Sequence, residues 1–250
     1  MTWNPSELHQ HFNTSNNLNS NTRTQSEIGK SNLFDLRGVT KFFEENPRHL
    51  ILDNVSIKIR AGDFLYVVGD SGAGKTTFLN LLVGHVQPSR GEIVRAFSSS
   101  NILGQIGYIP QDLELVDELT ALENILLGLE SNLTSAGANS KAYMSELAIQ
   151  LHVDRLLKSK VKNLSGGERQ RIAAMRAIMR RPQVLIADEP TGQLDRDQML
   201  VLMDVFQKLH LRGTTIIVAT HDREMVRRFR KKACVLKNSK LHLEDGLCLY

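Results

Sequence analysis

Long apolar runs are missing from this chain of 250 residues. No stretch approaches the ~18–20 apolar residues that a helix needs to cross a bilayer, so we expect no membrane span. The N-terminal region also lacks the charged segment followed by an apolar one that marks a secretory signal. Residues 1–32 are rich in Asn, Ser and Thr and can bury little apolar surface. We expect them to form a disordered tail; the alternative is a folded extension that binds a partner.

Cysteine is also scarce. Cys234 and Cys248 do not form a metal-ligand pattern, and such sparse usage predicts a reduced, cytosolic setting. The remaining composition, 41% hydrophobic and 23% charged, is typical of a globular protein with one large domain or a core and a subdomain. The net charge of +4 would suit an acidic ligand or an anionic membrane face and does not decide between them.

The most informative stretch is GDSGAGKT at residues 69–76, which matches the phosphate-binding pattern G-x-x-x-x-G-K-[ST]. Apolar runs at 64–68 and 78–83 predict a strand before it and a helix after it. Backbone N–H groups of such a loop and of the helix N-terminus form an anion site. Lys75 can then approach the β- and γ-phosphates, and the Thr76 hydroxyl can ligate Mg²⁺. The nucleotide contacts predicted here are Gly69, Asp70, Ser71, Gly72, Ala73, Gly74, Lys75, Thr76 and Thr77. A plain glycine turn before a helix is the alternative.

The rest of the chain predicts an α/β fold. Period-two patterns near 33–40 and 50–60 indicate an antiparallel sheet, and short strands follow near 91–96 and 105–109. The unbroken apolar run at 184–187 and the similar buried-strand pattern at 214–219 alternate with helices and indicate a parallel sheet buried on both faces. Helices are expected from about 120 to 158, over 168–181, over 197–211 and over 222–230. We therefore expect a mainly parallel core sheet, an antiparallel β subdomain and a helical lobe at about 112–165.

Two carboxylates end one of the buried runs. Asp188 and Glu189 follow Val184–Ala187 directly, and ligands of parallel sheets lie at the carboxyl ends of strands. These acids and the phosphate loop can therefore share one nucleotide. Asp188 would then hold Mg²⁺, and Glu189 would orient or deprotonate the attacking water. Two acids that merely end a strand are the alternative.

Further motifs resemble those of ATP-binding cassette (ABC) ATPases, over residues 33–245. LSGGERQR at 164–171 resembles the family's signature motif, and DEPTGQLD at 188–195 resembles its Walker B and D-loop run. Gln111 resembles the Q-loop glutamine, and His221 the switch histidine. Phe43 occupies the place of the aromatic residue that stacks on adenine. The resemblance implies a P-loop NTPase fold, with residues 33–250 as one ABC ATPase domain.

This resemblance also implies roles for the remaining motifs. Ser165, Gly166 and Gly167 would bind the γ-phosphate of ATP held by a second copy of the chain, in a head-to-tail dimer with two shared sites. Asp195 would lie at that interface. His221 would contact the γ-phosphate, and Gln111 would link Mg²⁺ and the water to the lobe. The expected reaction is hydrolysis of ATP to ADP and phosphate, with Lys75, Gln111, Glu189 and His221 as the catalytic residues and Thr76, Gln111 and Asp188 as the metal ligands.

Purely structural interpretations stay open for several of these residues. Phe43 could pack in the core, His221 could be structural, and Asp195 could be an ordinary helix N-cap. The basic run at 227–232 could bind anionic lipid, although a solvated helix face is the simpler interpretation.

Within the family, the sequence is most similar to the FtsE, LolD and MacB group, and Gly72-Ala73-Gly74 with the short C-terminus favours the cell-division member, FtsE. The resemblance implies an integral membrane partner of the FtsX, LolC or MacB type, no nucleic acid, and a peripheral location at the cytoplasmic face of the cell membrane. LolD- or MacB-like output is the alternative. A DNA-repair ABC ATPase, the alternative from another class, would need a long coiled coil between phosphate loop and signature. Only about ninety residues without sustained heptads lie there.

Overall fold

A computed structural model of the chain describes residues 31–43, 49–97, 102–129 and 138–244. The expectations for residues 1–30 and for Cys248 lie outside these ranges. In chain order the strands are β1 (Asn32–Phe42), β2 (Leu50–Arg60), β3 (Phe64–Val68), β4 (Arg90–Arg95), β5 (Ile106–Ile109), β6 (Val184–Asp188), β7 (Thr215–Thr220), β8 (Lys232–Lys237) and β9 (Lys240–Glu244). The helices are α1 (Lys75–Val83), α2 (Ile102–Gln105), α3 (Ala121–Leu127), α4 (Ala138–Gln150), α5 (Gly166–Met179), α6 (Arg196–Leu211) and α7 (Arg223–Phe229).

The core sheet has six strands in the order β5-β6-β7-β3-β8-β9. All neighbouring pairs from β5 to β8 are parallel, and β9 adds an antiparallel edge. Every residue of β6 and β7 is buried, because helices cover both faces of a parallel sheet. The predicted mainly parallel core is confirmed.

A second sheet has three antiparallel strands in the order β2-β1-β4. It is the antiparallel part that the period-two patterns predicted. Its first strand begins at Asn32, close to the expected start of folded structure at Leu33.

Strand β3 contributes to two hydrophobic clusters, because its side chains alternate between the faces of the sheet. Phe64, Tyr66 and Val68 pack with α3, α4, α5 and α6. Leu65 and Val67 pack on the other side, with α1 and with strands β1 and β2. The strand that precedes the phosphate loop is therefore fixed from both faces. Full burial of each large apolar side chain contributes about 1.5–3 kcal/mol.

Helix α1 is held at both ends. It ends at Gly84, which adopts the left-handed conformation (φ 92°) as the glycine rule for helix ends predicts. Arg95 on β4 donates hydrogen bonds to the carbonyls of Leu81 and Leu82 in the last turn. The guanidinium thereby joins the phosphate-loop helix to the antiparallel sheet.

Several predicted boundaries move by one or two residues, and two of them concern the elements next to the site. Gln105 was expected to begin a strand but ends helix α2, and β5 starts at Ile106. Helix α5 begins at Gly166 rather than at the predicted Glu168, because Ser165 and Glu168 form a capping box.

The expected helical stretch after Gln111 contains α3, α4 and short 3₁₀ turns at Asp154–Leu156 and Val161–Asn163. Asn124 is fully buried and holds the preceding loop: its amide exchanges hydrogen bonds with the backbone of Val116, at 2.8 and 3.0 Å. The division of the chain into a core and a helical lobe stays a prediction. In the described ranges, no helix is both long and apolar enough to cross a membrane.

Candidate nucleotide site

The sequence motifs meet at one edge of the core sheet. The phosphate loop follows β3, Glu189 follows β6, His221 follows β7 and Gln111 follows β5. These strands are neighbours and run parallel, so their carboxyl ends lie side by side. The topology therefore gathers four segments that are far apart in sequence.

A cavity of about 350 Å³ opens at this edge. Its walls combine the phosphate loop, the two acids, Gln111 and an aromatic residue, which is the arrangement expected around a nucleoside triphosphate. The lining residues are Phe43, His49, Ile51, Ser71, Gly72, Gly74, Lys75, Thr76, Thr77, Gln111, Asp188 and Glu189. His49 and Ile51 were not predicted, since neither belongs to a recognisable motif. Phe43 is 53% exposed, which does not fit the alternative of core packing.

Glycine is required in the loop by conformation and by space. Gly72 and Gly74 have φ values of 78° and 98°, in the left-handed region that other residues avoid. A Cβ on Gly69 would lie 2.7 Å from the carbonyl oxygen of Leu236. Only glycines allow the loop to turn this tightly against β8.

Lys75 lies beneath the loop and is 7% exposed. Its amino group donates hydrogen bonds to the carbonyls of Gly69 (2.8 Å) and Asp70 (3.1 Å) and lies 3.2 Å from Glu189 Oε1. The lysine therefore links the phosphate loop to the end of β6.

Asp188 is completely buried, and neither of its carboxylate oxygens has a hydrogen-bond partner. Burial raises the pKa of Asp188, and the neighbouring Thr76 hydroxyl opposes that rise. An unpartnered buried carboxylate beside a hydroxyl fits a hard cation, which prefers oxygen ligands. Within the described ranges, no cluster of three or more His, Cys, Asp or Glu side chains could hold a metal alone.

Glu189 is held in a strained conformation with φ 48°. Its Oε1 lies 2.8 Å from Nδ1 of His221, and its Oε2 accepts a weaker hydrogen bond from the His221 backbone N–H (3.3 Å). Both carboxylate oxygens are thus held in place, at the edge of the cavity. The His221 ring is 59% exposed and is not among the residues that line the cavity, so its predicted contact with the γ-phosphate stays a prediction.

The signature residues lie elsewhere: Ser165, Gly166 and Gly167 are not among those that line this cavity. Ser165 caps α5 and donates a hydrogen bond to Glu168 at 2.8 Å. A Cβ on Gly166 would clash with Gln193 of the D-loop. The chain therefore presents its signature turn apart from its own phosphate loop.

Asp195 does not reach the cavity either. Its Oδ1 accepts a hydrogen bond from the backbone N–H of Gln198 at 2.8 Å and caps helix α6. The N-cap interpretation thus describes the contact seen here, and a role for Asp195 between two chains stays a prediction. Of the loop residues, Gly69, Asp70 and Ala73 are also not in the lining, although two of their carbonyls hold Lys75.

Comparison with known proteins defines the class. A family model described as ABC transporter matches residues 52–192. The chain therefore belongs to the ABC transporter family, and it is an ATP-binding cassette that hydrolyses ATP.

Among members of this family, the chain is similar to curated FtsE and LolD proteins. The cell division ATP-binding protein FtsE of Streptococcus pneumoniae serotype 2 is 34% identical over 223 residues, which cover 86% of this chain and 96% of the relative. The lipoprotein-releasing system ATP-binding protein LolD of Buchnera aphidicola subsp. Acyrthosiphon pisum is 36% identical over 192 residues, which cover 72% and 83%. The predicted group is confirmed.

Solved structures agree with this assignment. The dimeric structure of MJ0796, a bacterial ABC transporter cassette, aligns with a TM-score of 0.77 and 29% identity, over 87% of this chain and all of the other. A dimeric post-hydrolysis state of the same cassette, bound to ADP and Pi, aligns with a TM-score of 0.76 and 28% identity. The predicted P-loop NTPase fold and the ATPase activity are confirmed.

Proposed function

We propose that this chain is the ATPase subunit of an FtsE-like membrane complex. Two copies would associate head to tail around two ATP molecules and drive a separate integral membrane protein of the FtsX type. By resemblance, the output is activation of cell-wall hydrolases during division, and the subunit is peripheral at the cytoplasmic face of the membrane. The observation that carries the ATPase part is the convergence of Lys75, Asp188 and Glu189 on one cavity.

The residues of the cavity have complementary tasks in this proposal. The loop N–H groups and Lys75 bind the phosphates, after Lys75 has exchanged Glu189 for a phosphate oxygen. Thr76, Asp188 and Gln111 would hold Mg²⁺, which would neutralise charge on the phosphates. Phe43 offers its exposed ring to the adenine.

Hydrolysis needs a base and an oriented water. Glu189 accepts a proton from the water as the water oxygen bonds to the γ-phosphorus, and the bond from that phosphorus to the bridging oxygen of ADP breaks. His221 keeps the Glu189 carboxylate in position through the 2.8 Å contact. The signature turn of the second copy, with Ser165 and the N–H groups that begin α5, then covers the γ-phosphate.

The separation of the signature turn from the cavity leads to a mixing experiment. Lys75→Ala should abolish ATP binding, and Ser165→Arg should block closure of the partner's site. In a mixture of the two variants, a mixed dimer has one intact composite site. With random pairing, about a quarter of the parent ATPase rate should return. No recovery above the sum of the separate variants would contradict sharing across the dimer.

Dimer formation itself can be measured in the Glu189→Gln chain. We expect a monomer without nucleotide and a dimer with ATP and Mg²⁺, by light scattering after gel filtration. The matched control is Glu118→Gln, which removes an exposed carboxylate paired with Lys160 and Lys162, outside the cavity. A Glu189→Gln chain that stays monomeric at saturating ATP would contradict the proposed dimer.

A LolD-like subunit of a lipoprotein-releasing system is the second candidate, because LolD relatives reach the same identity as FtsE relatives. The test is the membrane protein that copurifies with the tagged full chain from detergent-solubilised membranes. An FtsX-like protein with four spans supports the FtsE-like proposal, and a lipoprotein-exporter permease supports the second candidate.

A further inference from the structure

Arg176 of helix α5 binds the backbone of the loop that contains Gln111. The Arg176 guanidinium donates two hydrogen bonds of 2.6 Å, from Nη1 to the carbonyl of Glu114 and from Nη2 to the carbonyl of Leu113. Burial lowers the pKa of Arg176 from its usual value, and the Glu114 carboxylate opposes that shift. The charge is retained, since arginine stays protonated in proteins. Two charge-assisted hydrogen bonds from one rigid fork hold two successive peptide units.

The segment that Arg176 binds, Leu113–Glu114, has a strained backbone. Leu113 and Glu114 have φ values of 57° and 48°, in the left-handed region, and neither is glycine or asparagine. The turn is closed by hydrogen bonds from Leu113 N–H to the Pro110 carbonyl (3.1 Å) and from Glu114 N–H to the Asp112 carbonyl (2.6 Å). Such conformations persist only where surrounding contacts hold them. Gln111 lies inside this turn and lines the nucleotide cavity.

The stem of Arg176 is packed as closely as its head. A Cβ on Gly128, at the end of α3, would lie 2.7 Å from Arg176 Cγ. Gly128 has an ordinary helical φ of −68°, so space rather than conformation requires glycine there. Arg176 therefore contacts the strained turn and the end of α3 while it belongs to the helix that Ser165 begins. About 15 Å of continuous helix separates it from the signature turn.

We infer that Arg176 is a positioning residue that keeps Gln111 at the cavity by holding the Leu113–Glu114 turn, and so couples Gln111 to the signature helix. The inference rests on the proposed function, because Gln111 acquires its task only when ATP is in the cavity. Movement of α5 at its signature end is then transmitted by Arg176 to the turn, and the reverse holds by linkage.

The first test is local and needs no ATP. In Arg176→Gln, the Leu113 and Glu114 amides should exchange with deuterated solvent at least about tenfold faster, the loss expected for one charge-assisted hydrogen bond. The control, Lys162→Gln, removes an exposed ion pair with Glu118 in the same loop and should leave both amides unchanged. Unchanged exchange in Arg176→Gln would overturn the inference.

The second test measures turnover. Arg176→Gln should lower the ATPase kcat by about tenfold or more. ATP affinity in the Glu189→Gln background should stay within about twofold, because in this proposal the phosphate loop and Lys75 provide the phosphate contacts and Arg176 itself does not line the cavity. The double variant Arg176→Gln with Glu114→Gly should have a kcat at least about threefold higher than Arg176→Gln alone. Glycine adopts the left-handed conformation at position 114 without strain, so the turn needs the arginine less. A purely structural role in packing α5 predicts no recovery, and that result would overturn the inference.

A further variant distinguishes a failure to fold from the outcomes of the two tests. If Arg176→Gln is unfolded by circular dichroism, Gly128→Ala replaces it, because the added methyl group displaces the arginine stem and leaves its charge. Gly128→Ala should reproduce the faster exchange at Leu113 and Glu114, and slow exchange there would overturn the inference. A parent chain that does not bind ATP contradicts the proposed function, whereas the exchange experiment still decides whether Arg176 holds the turn.

Discussion

The amino group of Lys75 lies 3.2 Å from Oε1 of Glu189, and these two side chains are 7% and 12% exposed. The residue expected to bind phosphates and the residue expected to activate water are therefore paired in the lining of the cavity. An incoming triphosphate must take the lysine from the carboxylate. If Glu189 is the general base, we expect its release for proton transfer to depend on occupancy of the loop.

Replacement of Glu189 by glutamine should separate binding from turnover. The amide no longer competes for Lys75 and no longer repels the γ-phosphate, so ATP should bind as tightly as in the parent or more tightly. The ATPase rate should fall by about 100-fold or more, since the general base is lost. Nucleotide titration and phosphate release measure the two effects. Turnover at the parent rate would remove Glu189 from the mechanism.

Replacement of Asp188 by asparagine should stabilise the protein without nucleotide. Because burial raises its pKa, the folded chain binds more protons than the unfolded chain between the two pKa values. Stability therefore falls as pH rises through that interval and stays lower above it. At pH 7 the variant should be more stable by at least about 1 kcal/mol in urea unfolding.

Two further measurements check this assignment. The difference should shrink near pH 3, where an ordinary aspartate is protonated in both states. Stabilisation by ATP with Mg²⁺ should also diminish in the variant. A variant that is less stable than the parent at pH 7 would argue against an uncompensated carboxylate at this position.

Ser165 should contribute separately to the stability of helix α5 and to ATP-dependent dimerisation. Ser165 and Thr120 each form a capping box, with Glu168 and Glu123, and each hydroxyl accepts from the N3 backbone N–H. Ser165→Ala and Thr120→Ala should therefore both lower the unfolding free energy by about 1 kcal/mol. In the Glu189→Gln background, only Ser165→Ala should weaken ATP-dependent dimerisation. Equal weakening by Thr120→Ala would assign the effect to helix stability.

Two tyrosines should respond oppositely to loss of the hydroxyl group. The Tyr66 hydroxyl is buried without a hydrogen-bond partner, whereas the Tyr108 hydroxyl donates to Asn80 Oδ1 at 3.1 Å. Tyr66→Phe should leave stability unchanged or raise it by about 1 kcal/mol, and Tyr108→Phe should lower it by about 1 kcal/mol. Thermal unfolding of the two variants measures the contrast. Destabilisation by Tyr66→Phe would indicate a partner for that hydroxyl.

The sequence predicted those parts of the site that depend on local chemistry. The glycine spacing of residues 69–76 and the acids after a buried run each carry their own signal, and Lys75, Thr76 and Asp188, which those signals pointed to, all line the cavity. The parallel sheet was predictable because the central residues of β6 and β7 are consecutive apolar side chains, as expected for strands buried on both faces. Ser165 was assigned from its motif, although its capping box moved the helix start by two residues.

Other features could not be predicted because they depend on long-range contacts. Nothing in the local sequence pairs Lys75 with Glu189 before the topology is known. Leu113 and Glu114 carry no signal for a left-handed turn, since that conformation is imposed from α5. His49 is placed in the cavity by the hairpin of β1 and β2 and belongs to no motif.

Helix α1 connects the phosphate loop with Arg95 of the antiparallel sheet. Its N-terminus faces the phosphate loop, and the Arg95 guanidinium binds the carbonyls at its C-terminus. The helix dipole favours an anion at the first end and a cation at the second. A phosphate and Arg95 would therefore be complementary charges on a single dipole, each strengthening the hold of the other. Nucleotide should then tighten the docking of the antiparallel sheet, and loosening of that sheet should weaken nucleotide binding by an equal factor.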